Sequence, residues 1–215
     1  MKFILILICL FLFTGDIFCQ TKIGLVLQGE FNRALIQGEQ PNSHLNQNIR
    51  QLLYIGGKFG VITQFDLFNN LKLESQMSFT IRGFSYKQNI NSIIQKNRGS
   101  DNLFGIEIPL CLVIEFPSKT YIAKKYLGAG PLFNYSVLGV WKYKETGQPY
   151  RKEKIAFTEN DWARITWGLT YFIGMEDSEN QNIRLGINYA VNPVVHSFTG
   201  NAYIHQVFIS YLVFF

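Results

Sequence analysis

The sequence predicts an all-β fold, an eight-stranded antiparallel up-and-down transmembrane β-barrel. Three observations lead to this prediction. Apolar and polar residues alternate along eight segments, the connections between the segments alternate between long and short, and the last segment ends on an aromatic residue. In a membrane barrel the apolar positions of each strand meet lipid and the polar positions line the interior, so a period of two residues is the expected pattern.

The clearest alternation runs from Asn70 to Arg82, where the odd-numbered positions other than Ser75 are apolar and the even-numbered ones are polar. Seven further segments show the same alternation in whole or in part, and their patterns begin at Ile23, Leu53, Phe104, Leu127, Ala163, Ile183 and Tyr203. Eight is an even number and the smallest usual size for a transmembrane barrel. A soluble barrel of the lipocalin type would show similar alternation, but its apolar face would lie inside.

The connections predict how the barrel sits in the membrane. The long connections cover residues 32–52, 83–101, 136–161 and 191–202, whereas the short ones cover 66–70, 115–120 and 174–181. Outer-membrane barrels have long extracellular loops and short periplasmic turns. We therefore expect both ends of the barrel domain to lie in the periplasm.

The last segment carries apolar side chains at every second position counted back from its end. These positions are Val207, Ile209, Tyr211, Val213 and Phe215. A final strand with this pattern is typical of outer-membrane barrels. We expect the five residues to form the signal that the barrel assembly machinery recognises.

Residues 1–19 have the features of a secretory signal peptide: a short basic start, an unbroken apolar run over 3–13 and a more polar exit. We expect cleavage after Cys19, which leaves 20–215 as one outer-membrane barrel domain. The apolar run is shorter than the roughly 18 to 20 residues that a transmembrane helix needs. Cleavage leaves Cys111 as the only cysteine, so we expect no internal disulfide. Acylation of Cys19 as a lipoprotein is the alternative.

Charged residues at predicted inward positions indicate a polar network in the lumen. The strongest candidates are Lys72, Glu74, Arg82, Glu107 and Arg184, which carry both signs of charge. The interior of an eight-stranded barrel is just wide enough for side chains to fill. We therefore expect a plug of neutralised charges, and a small channel is the alternative.

Aromatic residues near the predicted strand ends are expected to form girdles at the two membrane interfaces. The candidates are Tyr54, Phe65, Phe68, Tyr121, Tyr135, Trp162, Tyr171, Phe172 and Tyr203.

The sequence shows no arrangement of residues typical of catalysis or metal binding. The histidines are His44, His196 and His205, and the first two fall in the first and last predicted outer loops. No acidic partner stands at a fixed spacing from them, and the close spacing of a metal site is missing. We expect no catalytic residue, no metal, no cofactor and no enzyme activity. A lipid-modifying enzyme that uses His44 and His196 is the alternative.

The predicted outer loop 136–161 is the most charged, and aromatic residues lie among its lysines, its arginine and its glutamates. Interleaved basic and aromatic side chains bind anionic sugars, lipid phosphates or nucleic acid. The acidic residues weaken the positive field, so we expect no nucleic-acid partner. The expected partners are outer-membrane lipid and lipopolysaccharide, or a protein of the cell envelope.

Two motifs resemble a known family. The segment Ile106-Glu107-Ile108-Pro109-Leu110-Cys111-Leu112 is similar to the mid-chain strand of the PorT-like outer-membrane barrel proteins of Bacteroidota, and Tyr126-Leu127-Gly128-Ala129-Gly130-Pro131 is similar to the glycine-rich strand that follows it. The opening Gln20-Thr21-Lys22-Ile23-Gly24 is also similar. The first strand departs from the family pattern, because it reads Val26-Leu27-Gln28-Gly29-Glu30-Phe31-Asn32 where the family has a Gly-Gly-x-Asn opening. The resemblance implies a barrel fold and an outer-membrane location.

The sequence thus predicts an integral outer-membrane barrel, exported through a cleaved signal peptide, with a structural or interaction role. The long outer loops are expected to contact lipopolysaccharide or a partner. A small channel, a lipid-modifying enzyme and a soluble carrier are the alternatives.

Overall fold

The computed structural model describes residues 21–37, 49–90, 95–116, 123–144, 148–157, 162–177, 180–197 and 200–215. The predicted signal peptide lies outside these residues, so it stays a prediction. In the described part of the chain, no helix has the length and apolar character needed to cross a membrane.

Eight long strands form the wall of the structure. They are β1 (Thr21–Gln37), β3 (Tyr54–Phe68), β4 (Leu71–Ile90), β5 (Gln95–Phe116), β6 (Ala123–Lys144), β8 (Ile165–Asp177), β9 (Gln181–Ala190) and β11 (Gly200–Phe214). Three short strands extend the sheet: β2 (Ile49–Leu52) pairs with β4, β7 (Arg151–Lys154) with β6, and β10 (Val195–Ser197) with β11.

Each long strand pairs antiparallel with the next one along the chain, and the first pairs with the last. The seam between β1 and β11 runs from the pair Gly24 and Phe214 to the pair Gln37 and Asn201. This closure leaves the wall without a free edge, which is the condition for a sheet to exist in hydrocarbon. The predicted eight-stranded up-and-down barrel is confirmed.

The outside of the barrel is apolar and the inside is polar. Phe79, Leu185 and Ile209 keep 59%, 54% and 53% of their surface exposed, whereas their neighbours Thr80 and Arg184 are buried. The hydrophobic effect would bury such large apolar side chains in a water-soluble protein. The alternative of a soluble carrier is therefore wrong, because a carrier needs its apolar face inside.

The two ends of the barrel differ in the length of the wall. Strands β3 and β4 are joined by a turn at Asn69 and Asn70, and β11 ends on the same side. Short turns identify the periplasmic end of such barrels. At the opposite, extracellular end, β4, β5 and β6 continue beyond the apolar exterior and form, with β7, a sheet that we call the extracellular sheet.

This sheet corrects the predicted loop 83–101. The pairing of β4 with β5 continues through Ser85 and Ser100 to Ile90 and Gln95, so most of the predicted loop is strand. The backbone ladder needs no apolar side chains once both faces leave the membrane. The hydrophobic alternation therefore indicates where the membrane belt ends, whereas the strands themselves continue beyond the belt.

One predicted girdle residue is also corrected. Phe172 is buried in the lumen, where its ring packs against the glycine backbone at Gly128 on β6. Trp162 packs on an apolar cluster at the extracellular end. The alternation of β8 places Phe172 at an inward position, and only a glycine across the strand pair leaves room for its ring.

Candidate functional site

The centre of the lumen contains a buried ion pair between β4 and β9. Arg184 donates to both carboxylate oxygens of Glu74, with 2.6 Å between Nη2 and Oε2, and its Nε donates to the Tyr126 hydroxyl at 2.8 Å. The two charged residues are only 4% and 3% exposed. The Phe172 ring lies 4.5 Å from the guanidinium carbon, so the cation is also held by an aromatic face. A bidentate pair of this kind fixes the geometry of both partners.

A second buried ion pair joins Lys58 on β3 to Glu107 on β5. Arg82 on β4 lies at the same side of the lumen and donates to Thr166 Oγ1 at 2.8 Å and Ser136 Oγ at 3.2 Å. The guanidinium of Arg82 thus takes neutral hydroxyl groups as its hydrogen-bond acceptors. These contacts tie β4 to β6 and β8 across the interior.

Hydrogen-bonded amides connect the closing strands from inside. Glu30 accepts hydrogen bonds of 2.8 Å from Gln28 Nε2 and from Gln206 Nε2, and Asn188 Nδ2 donates to Gln206 Oε1 at 2.8 Å. Ser210 donates to Gln28 Oε1 at 2.6 Å. The chain of contacts spans β1, β11 and β9, so it ties both sides of the seam together.

Lys72 lies nearer the periplasmic end, apart from the groups above. Its ammonium pairs with Glu115 and lies 3.8 Å from Asp66 Oδ1. The five predicted lumen residues all lie inside the wall, but the structure distributes them over separate contacts. Among the five, Glu74 and Arg184 are the two that form a direct ion pair with each other.

Sequence reasoning missed several members of these contacts, notably Tyr126, Gln28 and Gln206. Each occupies an inward position of its strand, two residues or a multiple of two from another buried residue. Strand parity is therefore the signal that identifies them. An aromatic residue such as Tyr126 is easily assigned to the lipid face, although its hydroxyl serves Arg184.

Apolar plugs close both ends of the lumen. The extracellular plug consists of Ala34, Phe84, Leu103, Val194 and Ile204. The periplasmic plug consists of Val26, Ile62, Leu212 and Phe214. Between them, a hollow beside Lys58, Glu74 and Arg184 measures about 20 Å³, which is room for about one water molecule. Side chains thus fill the described lumen.

The extracellular sheet has two chemically different faces. On its inner face, the rings of Trp141 and Tyr143 stack at 4.4 Å, and Trp141 Nε1 donates to the Tyr86 hydroxyl at 3.0 Å. The Tyr143 hydroxyl donates to Glu153 Oε1 at 2.9 Å, which holds that carboxylate on the aromatic face. Alternation along β6 and β7 places Lys142, beside these residues, on the outer face.

The outer face of the β6–β7 hairpin is basic, and we call Lys142, Lys152 and Lys154 the basic face. Lys142 lies directly across the strand pair from Lys152, and Lys154 is opposite Val140. Like charges that face each other across two strands are destabilising. In the described part of the chain, no carboxylate forms an ion pair with these three lysines.

A buried carboxyl group lies above the membrane belt. Asp101 on β5 is 3% exposed and faces Phe84 across the strand pair. Burial, with no compensating cation, raises the pKa of its carboxyl group to about 7. The carboxyl group beneath the extracellular sheet is therefore neutral below about pH 7 and charged above it.

The histidines do not form a catalytic or metal-binding group among the residues that the structure describes. His44 lies outside those residues, and for His196 only the backbone position on β10 is described. His205 stacks on Tyr189 at 4.6 Å and accepts a hydrogen bond from the Ala190 amide. The described ranges contain no cluster of three potential metal ligands.

The predicted assembly residues lie on the lipid-facing side of β11. Val207, Ile209, Tyr211 and Phe215 are exposed, and Val213 is partly exposed. Their strand pairs with β1 on one side and β9 on the other. Their recognition by the assembly machinery stays a prediction.

A closed sheet with an apolar exterior and a filled polar interior is built for a bilayer, because each of the eight wall strands pairs with a neighbour on both sides. The chain is an integral outer-membrane barrel protein. No protein-family model matches it, and no curated protein matches it in sequence.

Several solved structures are similar to the chain. Neisserial surface protein A has 13% identity and a TM-score of 0.43, and the alignment covers 92% of this chain and 100% of that one. OprG from Pseudomonas aeruginosa has 8% identity and a TM-score of 0.43, with 91% and 96% covered. Ail of Yersinia pestis, crystallised with the heparin analogue sucrose octasulfate, has 10% identity and a TM-score of 0.38, with 92% and 100% covered.

Proposed function

We propose that this barrel has an interaction role, in which the basic face of its extracellular sheet binds the phosphates of lipopolysaccharide. The observation that carries the proposal is the pair Lys142 and Lys152, two like charges held opposite each other without a carboxylate partner among the described residues. An anionic ligand between them removes the repulsion.

The distance of the basic face from the membrane belt also supports lipopolysaccharide as the partner. Leu138 is the last strongly exposed apolar residue along β6, and Lys142 follows four residues later, which is about 13 Å of strand. Because the strands of such barrels tilt by about 35 to 45°, this is roughly 10 Å along the membrane normal, and a lysine side chain is long enough to extend back to the lipid phosphates. Each lysine near an anionic lipid surface contributes about 1 kcal/mol.

The test compares binding of purified protein to lipid A and to the same lipid after removal of its phosphates. The double variant Lys152→Gln and Lys154→Gln should bind phosphorylated lipid A about thirtyfold more weakly, since it loses two such contacts. Its binding to the dephosphorylated lipid should not change. The matched control is Lys22→Gln with Lys124→Gln, which removes the same charge at the periplasmic end. Equal losses in both double variants would contradict the proposal.

The filled lumen supports a non-conducting barrel. Planar bilayers that contain the protein should show no steady conductance, because two apolar plugs and the Glu74–Arg184 pair occupy the axis. The double variant Glu74→Ala and Arg184→Ala removes both halves of the pair and should still not conduct, because the two apolar plugs remain. Steady conductance of the unaltered protein would favour the channel alternative.

We further propose that the protein is not an enzyme. Replacing His44 and His196 by alanine should leave the lipid composition of the cell unchanged, and a changed lipid A would overturn this part.

The assembly machinery is the expected partner of β11. Replacing Phe215 by Asp should therefore lower the amount of barrel in the outer membrane.

We also propose that the chain belongs to the PorT-like barrel proteins, because its motifs resemble theirs. Its motif residues have defined positions in the barrel: Glu107 pairs with Lys58, and Gly128 accommodates the Phe172 ring. These contacts concern the barrel wall, so membership alone implies no activity.

A protein of the cell envelope that binds the extracellular sheet is a further proposed partner. Cross-linking from Tyr150 in intact cells tests this proposal.

A further inference from the structure

The lipid-facing surface of β6, β8 and β9 contains an apolar groove near the periplasmic end. Two adjoining hollows of about 400 and 460 Å³ share Leu127, Ile173 and Leu185 as lining residues. Sites for small molecules have volumes of about 300 to 1,000 Å³. The groove is independent of the extracellular sheet and lies at the opposite end of the barrel.

Small residues create the groove. Ala129 is the outward residue at its upper part, between the larger outward side chains of Leu127 and Tyr171, and the backs of Gly128 and Gly186 contribute to its lining. These glycines face the lumen, where the rings of Phe172 and Phe208 occupy the space of the missing side chains. On the outside the wall thus carries a depression bordered by large apolar groups.

The groove is about as long as the hydrocarbon layer of one membrane leaflet is thick. Its lower part includes Lys125 and Met175, which pair across β6 and β8, and its upper part includes Ala129 and Tyr171. Four residues separate the two levels, which is about 13 Å along the strand. One leaflet of hydrocarbon is about 15 Å thick.

Lys125 supplies a charge at the interfacial end of the groove. Its stem lines the lower hollow, and its side chain is exposed two residues from the start of β6. Its ammonium forms no ion pair with the carboxylates of the described strands, Asp177 and Glu176 included. A long cationic side chain in this position keeps its methylenes on the apolar surface and its charge at the headgroup level.

We propose that this groove is a binding site for an anionic glycerophospholipid of the periplasmic leaflet, with an acyl chain along Leu127, Ala129 and Ile173 and the phosphate at Lys125. The order of the features agrees with the orientation of a lipid in that leaflet, because the charge lies at the periplasmic rim and the apolar floor extends toward the membrane centre. Filling the depression gains dispersion contacts that an unfilled surface lacks.

The test uses chain-labelled spin probes of phosphatidylglycerol and phosphatidylcholine in vesicles that contain the full-length barrel. Electron paramagnetic resonance measures the fraction of each lipid that the protein immobilises. We expect phosphatidylglycerol to associate about fivefold more strongly than phosphatidylcholine, which corresponds to one lysine contact of about 1 kcal/mol. Lys125→Gln should reduce this ratio toward one, and Ala129→Leu should reduce the immobilised fraction of phosphatidylglycerol.

The controls separate this site from the extracellular one. The variant Lys152→Gln with Lys154→Gln should keep the phosphatidylglycerol preference, and heat-modifiable gel mobility verifies that each variant is folded. A ratio near one in the unaltered protein overturns the proposal, as does an equal loss in the extracellular variant. Disulfide-linked dimers through Ala129→Cys would assign the groove to a second copy of the chain and would also overturn it. None of these results depends on lipid A binding.

Discussion

The membrane belt and the extracellular sheet share the same strands but distribute their side chains in different ways. In the belt, Phe79 and Ile209 face lipid while Glu74 and Arg184 are buried inside. In the extracellular sheet, the aromatic rings of Tyr86, Trp141 and Tyr143 lie on the inner face and lysines lie on the outer face. The backbone ladder is continuous, so the solvent outside the wall determines which residue type each face carries.

The inside of the belt should be the most sensitive region. Arg184→Leu leaves Glu74 as a buried charge without its partner, and breaking a buried pair in this way costs about 3 to 5 kcal/mol of unfolding free energy. The double variant Arg184→Leu with Glu74→Leu should recover a large part of the loss. Urea unfolding in vesicles, followed by heat-modifiable mobility, measures both. A single variant as stable as the unaltered protein would contradict the assigned pair.

The buried carboxyl group of Asp101 should make stability depend on pH. Its pKa is raised to about 7 in the folded protein from an ordinary value of 3.8, so the folded state retains a proton that the unfolded state has lost. Its contribution is therefore present below about pH 4 and is lost progressively as the pH rises to about 7, by up to about 4 kcal/mol.

The variant Asp101→Asn tests this pH dependence. It should be more stable than the unaltered protein at pH 8 and equally stable at pH 4. Unfolding in urea at the two pH values gives the comparison. A constant difference between the two proteins at both values would exclude titration of Asp101 as the cause.

The outside of the two regions should respond differently to a new charge. Ile209→Arg places a cation in hydrocarbon, which costs about 2 to 4 kcal/mol near the bilayer midplane. Ser85→Arg places the same cation on the extracellular sheet, where exposed substitutions change stability by about 0.5 kcal/mol or less. The urea midpoints of both variants in vesicles provide the measurement. Equal effects would mean that the belt ends elsewhere.

The smallest effect concerns the like charges of the basic face. Lys152→Glu converts the pair with Lys142 into opposite charges, which should stabilise the extracellular hairpin by about 0.2 to 1 kcal/mol. The same variant should bind phosphorylated lipid A more weakly. Stability and binding then change in opposite directions, and a variant that loses both would show that Lys152 has a structural role.

The belt could be predicted from the sequence because its chemistry repeats every two residues. The alternation from Asn70 to Arg82 is confirmed in β4, and the number of strands follows from counting such segments. The limits of the strands could not be predicted in the same way, since polar residues such as Ser85 and Ser100 continue the ladder without any hydrophobic signal.

The contacts inside the lumen could not be predicted from the sequence for a different reason. Glu74 and Arg184 are 110 residues apart, and which of several inward cations faces Glu74 depends on the register of every strand pair between them. The facing of Lys142 and Lys152 likewise depends on the register of a single hairpin. Residue composition indicated a basic, aromatic segment there, but the separation of lysines from aromatic rings needed the strand pairing.

The seam between the first and last strands has a consequence for biogenesis. Gly24 on β1 pairs with Phe214 on β11, so the ring cannot become complete before β11 is available to pair. Until then β1 and β11 each expose a row of unsatisfied amide and carbonyl groups. Contacts this distant in sequence form slowly. A factor that covers both strands until they pair would act at this seam, and a chain without β11 should be degraded instead of forming a stable barrel.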